Sequence, residues 1–447
     1  MDIFKDPIIL IIIFSSTVIL SYFYNLYSKK SGIPSVLLLI LTGLIIQFGF
    51  WLNGITIEKT ELTVVLKIFG VVGLALIVLE AALDLRLLKE KAGMILSSLS
   101  VAVLGLFATS YIGALVLFNV LNINMVEALL FTVPLSILSS AIILPSIDSL
   151  DDNKREFMIY ESTFSDILGI VLFYSLLQIG YADSESDIYG VVFGDLIITI
   201  IFSVLVTYVL IYFFQNIKGH DKLFFLISIL LLLYAVGKLF HLSSLIIILI
   251  FGVILNNYKL FFLGGLAKLI DSEKVENILA DFKVVTGESA FVVRTFFFII
   301  FGLSVSLGAL FMKDAADGMD RYFSLEPIAI GLVLLVVIYL VRAICLFIFN
   351  GKNIFPQVFL APRGLITILL FFAIPKELTD KYDFDGVLLF IILASCLIMT
   401  WSLIKHKKSL AAENTEDLTD QVVEGEENKE ATEIKDSNTE EIDENNI

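Results

Sequence analysis

Residues 125–147 read MVEALLFTVPLSILSSAIILPSI, a stretch long and apolar enough to span a bilayer yet interrupted in its middle. About 20 helical residues at ~1.5 Å each cross the ~30 Å hydrocarbon layer. Here Thr132-Val133-Pro134-Leu135-Ser136, followed by Ser139 and Ser140, puts a proline and hydroxyl side chains at the centre. Proline donates no N–H and frees the carbonyl four residues earlier. In lipid such freed groups are tolerated only where protein or water meets them. A second run, 355–375, carries Ala361-Pro362-Arg363-Gly364 at its own centre. Interrupted segments at corresponding positions of two halves point to a transporter built from inverted repeats, with its site near the bilayer midplane. Pro134, Ser136, Pro362, Arg363 and Gly364 are therefore the expected crossing-helix residues.

The rest of the chain agrees with a membrane reading. Of 447 residues, 58% are hydrophobic and 17% charged, 38 are Phe, and the mean hydropathy is +0.94. A soluble domain is nearer 45–50% apolar and about 25% charged. Thirteen apolar runs occur, at 8–27, 34–52, 64–83, 93–119, 125–147, 157–181, 189–214, 222–240, 242–256, 287–310, 327–349, 355–375 and 384–404. The first has no small-residue cleavage site and is expected to stay as a membrane helix. The two interruptions fall in the fifth and twelfth runs, so thirteen divides as six, one linker and six. The expected fold is an all-α polytopic membrane protein: a first repeat over 1–181, a linker helix over 182–218 and a second repeat over 219–408. Within the second repeat, 257–286 mixes charges with Leu269, Ile270, Ile278, Leu279 and Phe282, which predicts an amphipathic helix on the membrane surface.

Charge sets the expected orientation. Alternate loops hold 17 Lys and Arg on one side and 7 on the other, which places the N-terminus outside and the C-terminus in the cytoplasm of a cell-membrane protein. The net charge of −16 is concentrated at one end. Residues 411–447 carry a net of −12 and few aromatics, which predicts a disordered acidic tail over 409–447. No basic soluble face exists for a nucleic-acid partner. Two cysteines in apolar runs and three scattered histidines supply neither disulfides nor a transition-metal site, and no cofactor is implied.

Charges inside the runs are functional candidates, because each costs several kcal/mol in the membrane. They are Lys67, Glu80, Glu161, Asp166, Asp195, Arg294, Arg342 and Arg363. Helical rise puts Glu161 ~6 Å, Arg342 ~10 Å and Asp166 ~14 Å from the cytoplasmic edge. Glu161 and Arg342 thus lie at comparable depth and are expected to pair. Five residues separate Glu161 from Asp166, so the two carboxylates point ~140° apart. Ser162 shares the Asp166 face and Ser165 the Glu161 face. The expected division is a fixed anion at Glu161 and an exchangeable acid at Asp166. Arg363 is expected on the end carbonyls of a half-helix. Glu80 and Asp84 either line an entrance funnel or form a solvated helix end. Arg294 either snorkels or pairs with an acid, Lys67 is expected to snorkel, and Asp195 has no assigned role.

Glu161-Ser162-Thr163-Phe164-Ser165-Asp166 resembles the Glu-Ser-x-x-Asn-Asp signature of the monovalent cation:proton antiporters, sodium/proton exchanger branch. Arg342, Ala361-Pro362-Arg363-Gly364 and Thr132-x-Pro134 resemble further motifs of that family, in family order, over residues 5–405. The resemblance implies a thirteen-helix homodimeric antiporter in which Asp166 holds either a monovalent cation or a proton, with Thr132, Ser162 and Ser165 as auxiliary ligands. Two positions depart from the family: Ser165 stands where it has Asn, and Val133 where it has Asp. Electrogenic relatives carry a second Asp at the Ser165 position, so their absence here implies electroneutral exchange of sodium, with potassium or lithium as alternatives. Arg294 is the residue able to add charge coupling. A cation channel using the same acid is the competing class; an intramembrane enzyme lacks its residues.

Overall fold

The computed structural model describes residues 6–52, 59–180, 188–215, 222–240, 242–263, 266, 270–304, 312–314, 321–379 and 384–409. The chain is helical: α1 Pro7–Ser31, α2 Ser35–Leu52, α3 Lys59–Asp84, α4 Ala92–Leu121, α5 Met125–Ser136, α6 Ser140–Ile143, α7 Asp152–Gly180 and α8 Ile188–Phe214. There follow α9 Lys222–Leu239, α10 Ser244–Asn256, α11 Tyr258–Phe261, α12 Ser272–Ser304, α13 Glu326–Asn350, α14 Leu365–Ala373, α15 Lys376–Thr379 and α16 Asp385–Ser409. The departure from helix is an antiparallel pair, β1 Met312–Asp314 with β2 Arg321–Phe323, in which Met312 faces Phe323. Each of the thirteen apolar runs contains a helix. Among the described residues, eight helices are long and apolar enough to cross a membrane, with shorter apolar helices at Ser35–Phe50, Ile227–Leu239 and Ser244–Asn256.

Helix ends follow local chemistry. At α1, the Asp6 carboxylate accepts the Ile8 N–H at 2.9 Å, Pro7 occupies the first turn, and Gly32 closes the helix with φ of 78°. At α5, Asn124 and Glu127 exchange side-chain and backbone hydrogen bonds in a capping box. A hydrogen bond from Lys274 holds the Asp271 carboxyl, just ahead of α12, below the usual carboxylate value.

Residues Met1–Thr400 form one compact unit, and Trp401–Ile447 a second whose described part is the end of α16. In the first unit, α4 packs on α5, α7 and α13, and α5 packs on α7 and α14. A second group sets α12 against α2 and α3, and α10 against α3, α8 and α9. The groups meet along α3, α7, α10 and α14. One of the covalent links between them, the turn after α3, is held from both sides. Asn257 accepts the Leu87 N–H at 2.6 Å and donates to Leu85 O at 2.7 Å, while Tyr160 Oη donates to Arg86 O at 2.7 Å. The outer helices carry apolar side chains outward: Ile11 is 64% and Ile12 60% exposed on α1. That surface suits lipid, not water.

Two expectations change. The segment 257–286 is not a separate surface helix: after α11, the chain enters α12 at Ser272 and continues unbroken to Ser304. Val275, Ile278, Phe282 and Thr286 are buried at helical spacing, so the amphipathic face packs inward and extends the tenth run towards the N-terminus. The other change concerns Pro134, which lies inside α5; the chain opens only at Ile137–Ser139, after the helix has run on to Ser136. The acidic tail and residues 305–311 lie outside the described residues, as do the side chains of Lys67 and Asp195.

α2 crosses α12 backbone against backbone at Gly43 and Gly302. A Cβ on Gly43 would overlap Ile299 O and lie 2.8 Å from Gly302 Cα, whereas one on Gly287 meets nothing within 4 Å. Gly43→Leu should therefore lower stability by roughly 1–3 kcal/mol. Gly287→Ala, inside α12 with nothing near a Cβ there, should keep stability or raise it by up to about 1 kcal/mol. Thermal melting of detergent-purified protein, followed as loss of monodisperse material, checks the contrast.

Candidate functional site

The two interruptions meet. α5 ends at Ser136, Ile137–Ser139 run extended, and α6 resumes at Ser140. On the other side, the 3-10 turn Gln357–Phe359 leads into a non-helical stretch through Gly364 before α14 begins. The backbones pair directly: Ser139 N–H donates to Pro362 O at 3.0 Å. Arg363 Nη1 donates to Ile137 O, the C-cap carbonyl of α5, at 2.7 Å. A cation at a helix C-terminus offsets the negative end of its dipole. Gly364 is required for this approach, because a Cβ there would overlap Ser139 Oγ and lie 2.7 Å from Ile142 Cδ1. The remaining donors find side chains: Leu138 N–H donates to Ser165 Oγ at 3.0 Å, and Arg363 N–H to Ser395 Oγ at 3.0 Å.

α7 lies against this crossing with its two carboxylates in different surroundings. Glu161 and Arg342 form a buried two-pronged pair, Nη1–Oε1 at 2.5 Å and Nη2–Oε2 at 3.0 Å. The remaining guanidinium donors go to Gln357 O, from Nε at 3.1 Å and Nη2 at 2.9 Å. So α7, α13 and the turn before the second interruption share one ion pair. Both charges are removed from water, and the two-pronged pairing with the added bonds to Gln357 O is what makes that burial tolerable. On the Ser165 and Glu161 side lies a small cavity of about 20 Å³, edged by Arg342, Arg363 and Ser136, which is room for one water.

Asp166 has no such partner. It is 2% exposed; Oδ2 accepts the Ser140 N–H at 3.3 Å, and Oδ1 is buried without a hydrogen-bond partner among the described residues. The structure therefore brings Asp166 to the first interruption through the backbone of Ser140. The other expected ligands are placed differently. Ser162 Oγ donates to Met158 O on its own helix at 2.7 Å. Thr132 Oγ1 donates to Ser110 O of α4 at 2.9 Å, and Ser136 Oγ to Thr132 O at 2.8 Å. Ser165 is engaged with Leu138. Val133 is fully buried, at the position where the family pattern has a carboxylate.

Arg294 pairs with an acid. Its guanidinium clasps Glu80 at 2.8 and 3.2 Å, joining α12 to α3, with both side chains about a quarter exposed, at 21% and 24%. Asp84, one turn further along α3, is exposed. Three contributors had little signature in the sequence. Gln357 acts through a backbone carbonyl, which any residue possesses, and Ser140 through its backbone N–H as well as its hydroxyl. Ser395 had a cue, as an isolated hydroxyl in the apolar stretch Ile391–Met399.

A family model described as sodium/hydrogen exchanger, transmembrane, matches residues 14–405. Among solved structures, two of the sodium proton antiporter MjNhaP1 from Methanocaldococcus jannaschii have this fold. One is 20% identical with a TM-score of 0.63, covering 89% of this chain and 98% of that one. The other is 18% identical with a TM-score of 0.64, covering 91% and 98%. At these identities the likeness is one of fold. No curated protein matches the chain in sequence.

The ion pair makes a stability prediction. Glu161→Gln or Arg342→Gln alone leaves a buried charge uncompensated and should cost about 3–5 kcal/mol. The double substitution should recover part of that loss, giving a coupling energy well above zero in a double-mutant cycle on thermal unfolding. Simple addition of the two single effects would exclude the pairing.

Proposed function

The chain belongs to the transmembrane sodium/hydrogen exchanger family, and from that premise we propose that it exchanges a monovalent cation, sodium first, for a proton, with Asp166 as the site both ions share. The observation that carries this reading is the contrast on α7: Glu161 is neutralised by Arg342, while Asp166 is buried at the crossing with one oxygen uncommitted. An ionised carboxylate in an apolar interior is too costly to leave bare, so it holds either a proton or a cation. Mutual exclusion of the two ions on one carboxylate is what couples their movements. Access alternates between the two sides of the membrane as the crossing and its helices move relative to the other group.

The reading extends to stoichiometry. Ser165 and Val133 remove the acids that would carry a second proton, and Arg294 is balanced by Glu80. One cation against one proton moves no net charge. The proposal assigns 1–181 and 219–408 as the two inverted repeats about a linker over 182–218. It places the N-terminus outside a cell membrane and the acidic tail in the cytoplasm, with the working unit a homodimer.

Exchange in proteoliposomes tests this reading. Asp166→Asn should abolish proton-driven uptake of sodium, and of lithium or potassium if either replaces it, while leaving the protein folded, because an amide neither releases a proton nor carries charge. Substantial residual exchange would overturn the site. Rates should also ignore an imposed membrane potential, set by valinomycin while sodium is the transported cation. At 100 mV each net charge is worth about 2.3 kcal/mol, so an electrogenic cycle would respond clearly.

A further inference from the structure

A hydroxyl outside every assignment so far faces the same place as Asp166. Thr163 is fully buried, and its Oγ1 has no hydrogen-bond partner among the described residues. That is unusual within this protein. Ser110, Thr132, Ser162, Thr207 and Thr400 each donate to the carbonyl one turn earlier in their own helices, at 2.6–3.0 Å. On α7, the buried side-chain polar atoms without a partner among the described residues are Thr163 Oγ1 and Asp166 Oδ1. Three helical residues place their side chains about 60° apart and their Cβ atoms about 5–6 Å apart, so the two oxygens belong to one face. Buried polar atoms are almost always satisfied, and a pair left open on one face calls for a water or an ion.

We infer that Thr163 is a ligand of the transported cation, its hydroxyl oxygen joining Asp166 Oδ1 on the face of α7 that looks away from the Glu161–Arg342 pair. This rests on the reading of Asp166 as the ion site and adds to it a residue that sets cation affinity and choice. The carboxylate supplies the charge and is the group a proton can also occupy. The hydroxyl supplies a neutral oxygen that serves the cation only, so it changes how well a cation competes without changing how the proton is held. Ser162 lies on the other flank of Asp166 with its hydroxyl turned onto Met158 O, which leaves Thr163 as the side-chain oxygen free to move onto an ion. Position 163 lies inside the signature segment but at one of its unspecified places, so the motif gives no hint of this role.

Thr163→Val keeps the branched shape and removes only the hydroxyl; Thr163→Ser keeps the hydroxyl and removes a methyl. In proteoliposomes, Thr163→Val should raise the half-saturating sodium concentration about tenfold, in line with losing one hydrogen-bond-strength contact to a charged partner. It should also change the order or spacing of affinities among lithium, sodium and potassium, while Thr163→Ser stays close to the parent. Without cation, the melting temperature of Thr163→Val should equal or exceed that of the parent, because a hydroxyl with no partner is gone. An unchanged sodium requirement in Thr163→Val would overturn the inference, and so would a uniform loss for all three cations with a lower melting temperature, which marks a structural role. If Asp166→Asn is inactive while Thr163→Val binds sodium normally, this inference fails and the Asp166 site stands. An active Asp166→Asn removes the site itself.

Discussion

Opening the backbone inside an apolar layer leaves N–H and C=O groups that water is not there to satisfy, and each costs free energy until something meets it. This chain opens twice, and each opening supplies what the other lacks. The Ser139 N–H takes the Pro362 carbonyl, and Arg363 takes the Ile137 carbonyl. Ser165, Asp166 and Ser395 then meet the donors left at Leu138, Ser140 and Arg363. Neither interruption is tenable alone, which ties α5, α7, α14 and α16 to one point. Gly364 is glycine because a side chain would hold the two strands of backbone apart.

Around that point, the same electrostatic rule gives two outcomes. Glu161 is held by Arg342, Arg342 also reaches Gln357 O, and Arg363 sits on Ile137 O through Nη1, its Nε having no partner among the described residues. They tie the crossing to α13 and leave no reason for those charges to change during a cycle. Asp166 differs in meeting the hydroxyl and the backbone N–H of Ser140 and no cation. A carboxylate left in that condition is unstable as a bare charge, and its stability depends on what binds it. In the proposed exchange, transport rests on an energetic asymmetry between two acids about one and a half turns apart. The second ion pair, Glu80–Arg294, removes a further charge from the face of α12 that packs on α3.

Much of this was legible from residue order. Pro134 and Pro362 announced the interruptions; helical rise alone set Glu161 level with Arg342, and 100° per residue separated Glu161 from Asp166. Arg363 on the end of a half-helix followed from the dipole. What stayed hidden had physical causes. Pro134 removes one hydrogen bond but does not choose where the chain turns; that choice falls three residues later, where Ser165, Pro362 and Arg363 receive the freed groups. Hydropathy ends a run where charges begin, so the inward-packed first turns of α12 looked like a surface segment. Depth arithmetic placed Glu80 and Arg294 on separate helices with no information on which helices are neighbours. The direction of a hydroxyl is a rotamer choice, so residue order could not show that Ser162 and Thr132 are engaged with carbonyls while Thr163 is left open.

The central claim is that one carboxylate holds either the cation or the proton and never both. Proton release on cation binding measures this without membranes or gradients. Sodium is titrated into the detergent-purified protein in weak buffer, and the protons set free are counted per chain as a function of pH. Competition at Asp166 predicts release of about one proton per chain at pH values where the acid is protonated, falling towards none as pH rises through its titration. Binding that releases no proton at any pH, or two, would contradict it.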